Sequence, residues 1–143
     1  MNNNKNSFRL MLSNTFKGMI MQTYVEFEKK KIPISPEHHY MLELITEQQD
    51  TIQSDLAEIM KKDKSAVMRH MDYLEKLGFI VRVNDSVDRR KKYIVITEQG
   101  ANMLKKCDEI IDANLEQNLQ GISDEKLTIF KEVLGAIHAN TQT

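Results

Sequence analysis

Apolar positions recur at helical spacing along most of this chain and change to strand-type runs only once, between Phe79 and Ile96. Phe8, Leu12, Phe16, Met19, Tyr24 and Phe27 predict a long amphipathic helix from Ser7 to about Lys30. Lys29–Lys31 suit its C-terminal end, where cations offset the helix dipole. Ser35 as cap, Pro36 at the first position and Glu37 in the first turn open a second helix. Its residues Met41, Leu44 and Ile45 continue inward. A third helix is predicted with Thr51 as N-cap and Ile52, Leu56, Ile59 and Met60 on its buried face. After the break at Lys61-Lys62, Asp63 caps a fourth, in which Val67, Met71 and Leu74 fall at i, i+4 and i+7. Gly78 supplies its stop.

The period then changes. "FIVRV" and "KYIVI" read as two strands joined through the polar stretch Asn84–Arg90. Two short helices with a hairpin attached make a winged helix-turn-helix. Thr97 caps a fifth helix whose stripe runs through Met103, Leu104, Cys107, Ile110, Ile111, Leu115 and Leu119. Gly121 ends it, and Ser123 caps a sixth, with Leu127, Phe130, Leu134 and Ile137 expected to face inward. The fold class is mainly α with a small β-hairpin: six helices around a winged helix-turn-helix. The terminal helices carry more apolar face than so small a winged helix covers, which argues for subunit association.

Composition narrows the setting. At 143 residues the chain is most simply one domain. No apolar run approaches the ~20 residues of a membrane span. The polar start MNNNKNSF lacks the apolar core of a signal peptide, so a cytoplasmic location is expected, with no membrane partner. The single Cys107 cannot form an internal disulfide. Net charge is only −1, but residues 61–93 hold ten Lys/Arg against five Asp/Glu, leaving ten against sixteen elsewhere. A basic segment in an acidic body suggests a local polyanion contact, although charge alone is better explained as a solvated run.

Placement of that charge indicates its use. If the fourth helix enters a major groove, Lys64, Ser65, Ala66, Met68 and Arg69 face the bases. Arg69 can bond a guanine edge in bidentate fashion, Ser65 a base or phosphate, and Lys64 a phosphate or guanine. At the hairpin tip, Arg89 or Arg90 can reach a narrow minor groove. Asp88 could hold one arginine through a charge-assisted bond, and Lys91 and Lys92 suit phosphates.

The stretch "TIQSDLAEIMKKDKSAVMRHMDYLEKLGFIVRVNDSVDRRKKYIVITEQGANML" resembles the core of the MarR family of bacterial transcriptional regulators. The resemblance rests on S-x-L-A, L-E-K-x-G, the D-R-R of the wing and the I-T-E-x-G that opens the fifth helix. It implies a homodimer through the first, fifth and sixth helices, bound as a repressor to a pseudo-palindromic stretch of double-stranded DNA. Residues 35–97 would then be the winged DNA-binding part, and 7–32 and 98–143 the dimerisation helices. Asp88 and Arg90 look like the wing pair, with Arg89 second. Lys61 stands where family members often have glycine, and His70 occupies a normally apolar position. His70 is either a half-buried core histidine or a phosphate contact.

Family members commonly release DNA on binding a phenolic or other small ligand. Met21, Tyr24, His38, His39 and Tyr40 could line such a crevice, or simply pack the first helix against the second. Adjacent His38 and His39 diverge on a helix, and neither C-x-x-C nor H-x-x-x-H accompanies them, so no metal and no cofactor is expected. Cys107 reads as a buried small hydrophobe, the alternative being an oxidant-sensing thiol. A winged helix that docks on an acidic protein is the rival from another class. With no Gly-rich phosphate loop and no G-x-S-x-G, an enzyme is not expected.

Overall fold

A computed structural model describes residues 2–48, 51–88 and 90–141, with side chains from Ser7 onward. In chain order the elements are α1 (Asn2–Lys29), α2 (Pro36–Glu47), α3 (Gln53–Ile59), α4 (Lys64–Lys76), β1 (Ile80–Asn84), β2 (Lys92–Ile96), α5 (Glu98–Asn118) and α6 (Asp124–Thr141). Six helices and one two-stranded antiparallel sheet thus form the mainly helical winged fold that the periodicity predicts. The chain divides into two compact units, Met1–Ile111 and Asp112–Thr143.

Local signals account for most boundaries. The Ser35 hydroxyl accepts from the His38 backbone N–H while His38 Nδ1 accepts from the Ser35 N–H, a reciprocal cap that starts α2. The Asp63 carboxylate accepts from Ala66 N–H and starts α4. Thr97 Oγ1 accepts from Gly100 N–H and donates to the Gly78 carbonyl, tying the start of α5 to the end of α4. Gly100 allows the backbones to meet there, since a Cβ at this position would lie 2.1 Å from the Phe79 carbonyl oxygen.

β1 and β2 pair from Ile80↔Ile96 to Asn84↔Lys92. Ile80 and Ile94 point into a core shared with Met41 and Leu42 of α2, Leu56 of α3, Val67, Met71 and Leu74 of α4, and Cys107 of α5. Arg82 of β1 is clamped on α4 by Asp72 (2.6 Å) and Glu75 (2.9 Å).

Three expectations need correction. α1 begins at Asn2, before the predicted Ser7. Thr51 does not cap α3: Ile52 is the N-cap, without a side-chain cap bond. Thr51 is instead drawn into a third, strand-like pairing, in which its carbonyl accepts from Ile94 N–H and Ile52 bridges Tyr93. Its hydroxyl donates back to the Gln48 carbonyl. On α6, Leu127 is half-buried, but Phe130, Leu134 and Ile137 are exposed. Among the described residues, no helix is long and apolar enough to cross a membrane.

Candidate nucleic-acid interface

Burying Val67, Met71 and Leu74 fixes the rotation of α4 and leaves Lys64, Ser65, Met68 and Arg69 exposed. Ala66 is half-buried, its N–H taken by Asp63. The Met68 sulfur accepts a bond from Gln53 Nε2 at 3.0 Å, which fixes that side chain across α3 and α4.

The tip between β1 and β2 is organised by a residue that sequence reasoning did not single out. Asp85 Oδ1 accepts from the backbone N–H groups of Val87 (2.8 Å) and Asp88 (2.7 Å), and Oδ2 accepts from the Tyr93 hydroxyl (2.9 Å). Those bonds, the two from the backbone foremost, hold the Asp85 carboxyl below the usual carboxylate range. The D-x-x-D spacing at the tip of a predicted hairpin is the signal that could have found it. Asp88 works locally too: its carboxylate accepts from the backbone N–H of Arg90 at 3.0 Å, and among the described residues it makes no bond to a guanidinium. A carboxylate two residues back in a tight turn meets a main-chain donor first. Arg90, Lys91 and Lys92 project from this turn, all exposed. Arg89, the second expected wing arginine, lies outside the described residues.

Lys64 and the cations of the turn share one cleft of about 310 Å³, which Arg69 does not line. Lys64 and Met68 of α4 line one wall, and Arg90, Lys91 and Lys92 the other. Gln53 and Ser54, also missed by sequence reasoning, contribute from α3, with Val67 and Met71 at the floor. Lys64 of α4 and the cations that follow the hairpin turn thus converge on one cleft.

The expected ligand residues separate. Met21 and Tyr24 line one cavity of about 410 Å³, and Tyr24 and Tyr40 line another of about 480 Å³. His38 and His39 line neither. Because His38 Nδ1 accepts from Ser35 N–H, its Nε2 carries the hydrogen and donates to His70 Nδ1 at 3.0 Å. Burial, then the neighbouring His70, pushes the His38 pKa down to about 4. His70 is therefore the half-buried histidine of the two readings, joined to α2. His39 is buried, with Asp108 at its Nε2 (2.7 Å) and Glu43 at its Nδ1 (3.6 Å). Cys107 is fully buried, and burial pushes its thiol pKa up to about 12.

Residues 32–91 match the model of the MarR family. A MarR family protein from Bacillus stearothermophilus superposes with a TM-score of 0.88 at 20% identity, covering 100% of this chain and 99% of that one. Streptococcus pneumoniae FabT, solved in complex with DNA, gives 0.83 at 19% identity, with 96% and 97% covered. A transcriptional regulator of the MarR family from Rhodococcus sp. RHA1 gives 0.78 at 24% identity, with 93% of each chain covered.

Proposed function

We propose, from a MarR-family segment carried on the fold of MarR-family transcriptional regulators, that this chain is a sequence-specific DNA-binding regulator. It acts as a homodimeric repressor on a pseudo-palindromic operator and responds to a small ligand. The observation that carries the DNA reading is the shared cleft, with Lys64 and Met68 from α4 facing Arg90, Lys91 and Lys92 from the wing. FabT, a neighbour in fold, was solved on DNA.

The division of labour follows from chemistry. Arg69 and Ser65 read base edges in the major groove, and Met68 offers an apolar contact to a thymine methyl. Arg90, set by the Asp85 and Asp88 turn, enters the minor groove. Lys64, Lys91 and Lys92 neutralise phosphates and fix register. The small ligand, phenolic or otherwise aromatic, fits the apolar cavity between Tyr24 and Tyr40, beside the Glu37–Lys62 ion pair.

Dimerisation is supported by exposed apolar surface on the terminal helices. Exposed Phe8, Phe16 and Ile20 on α1, with Ile129, Phe130 and Val133 on α6, supply apolar surface of the right kind.

The test is duplex selection from the source genome followed by titration against salt. Affinity should fall steeply with added salt while an inverted repeat stays strongly preferred over random duplex. Arg90→Ala should weaken operator binding at least tenfold and leave the circular dichroism spectrum unchanged. Equal binding to both duplexes removes the operator, and wild-type affinity in Arg90→Ala removes the wing assignment.

A further inference from the structure

His39 lies outside the nucleic-acid interface, 6% exposed, with its ring edge-on to Phe27. Its two nitrogens face carboxylates from two helices. Asp108 Oδ1 on α5 is 2.7 Å from Nε2, and Glu43 Oε2, one turn further along α2, is 3.6 Å from Nδ1. One ligating atom from each of the three residues lies within 4.8 Å of the other two. Among the described residues this is the one group of three or more such side chains. Glu43 and Asp108 are each partly open to solvent, 42% and 46% exposed at the side chain, which gives an ion a way in.

Charge argues in the same direction. Two carboxylates this close repel one another. A protonated His39 between them still leaves the trio with one net negative charge. A divalent cation with neutral imidazole leaves none. We propose that His39, Glu43 and Asp108 bind a divalent transition-metal cation of the Zn²⁺ type, joining α2 to α5. One ion can use only one imidazole nitrogen, so with Nε2 and Asp108 as ligands the half-exposed Glu43 side chain must swing over from Nδ1 to join them. One imidazole and two carboxylates then form a borderline-to-hard donor set that leaves a position for water. Ca²⁺ is a poor match, since it takes six to eight oxygens. Sequence spacing did not show the site because Asp108 is 69 residues from His39. In sequence only His39 and Glu43 stand together, at i and i+4.

The experiment uses the full chain, treated with chelator, and Zn²⁺ as the probe, without DNA, so it does not depend on the operator reading. Equilibrium dialysis should give one Zn²⁺ per chain, and the melting temperature should rise with Zn²⁺ concentration. Asp108→Asn and Glu43→Gln, both at half-exposed positions, should keep the helical circular dichroism signal and weaken uptake at least tenfold. His138→Gln on α6 should bind as wild type does. No saturable uptake, or uptake that neither Asp108→Asn nor Glu43→Gln weakens, overturns the proposal.

Discussion

The segment from α2 to the hairpin and the helix α6 have similar apolar content but opposite fates. In the first, Met41, Leu42, Leu56, Met71, Leu74 and Ile80 are fully buried within one chain. On α6 no residue is buried, although Ile129, Phe130, Val133, Leu134 and Ile137 all lie along it. The winged segment closes its own core because five elements of different direction meet around it. A lone amphipathic helix has nothing to close against unless another surface is supplied. One chain therefore holds a finished part, which shapes the cleft of Lys64 and Arg90, and an unfinished part whose apolar face stays open.

Breaking the finished part should have the largest effect. Gly100→Ala puts a Cβ 2.1 Å from the Phe79 carbonyl oxygen and 2.9 Å from an Ile96 side-chain carbon. The nearest obstacle is backbone, so α5 must move off the hairpin, at a cost of about 3 kcal/mol. Urea unfolding followed by circular dichroism should show a lower midpoint with the slope unchanged. A midpoint equal to wild type would mean that α5 and the hairpin do not approach this closely.

The unfinished part should break differently. Phe130→Glu with Leu134→Glu changes two side chains that are 50% and 37% exposed, so little intrachain packing is lost. Across a two-fold interface the same change sets four carboxylates in apolar surface. Dimer dissociation should rise at least 100-fold, about 2.7 kcal/mol, read as a halved mass in light scattering. A variant that stays dimeric at micromolar concentration would place the interface away from this face.

The same contrast explains how far the sequence could be read. Ser35, Asp63, Thr97 and Ser123 were legible as caps because the signal lies within three residues of the helix that it starts. The hairpin was legible because its period differs from that of its neighbours. Of the candidate site, the exposed cations on α4 and the wing were legible from charge and placement. Their sharing of a cleft with Gln53 and Ser54 was not, since that depends on how α3 packs beside β2. Thr51 looked like a cap because threonine is a good one, but pairing with Ile94 across the chain took precedence. His39 looked like a crevice residue until Asp108 supplied a partner from α5. Phe130 and Leu134 were read as inward because periodicity marks an apolar face without saying whose surface covers it.

The smallest expected effect lies inside the finished part and compares two of its helix ends. α3 and α4 close alike: Lys61 N–H donates to the Glu58 carbonyl and Lys62 N–H to Ala57, as Gly78 does to Glu75 and Phe79 to Leu74. Each end needs a left-handed residue, and φ is +75° at Gly78 but +49° at Lys61. Glycine adopts that region freely, whereas a Cβ at Lys61 crowds the following carbonyl. Lys61→Gly should therefore stabilise the chain by about 0.5–1 kcal/mol, the relief of strain being partly offset by the freer unfolded chain. The gain should appear as a higher urea midpoint. It should persist in the Phe130→Glu, Leu134→Glu background, because the turn lies in the segment whose core is closed within one chain. A gain that vanishes there would show that the winged core, too, depends on assembly for its final shape.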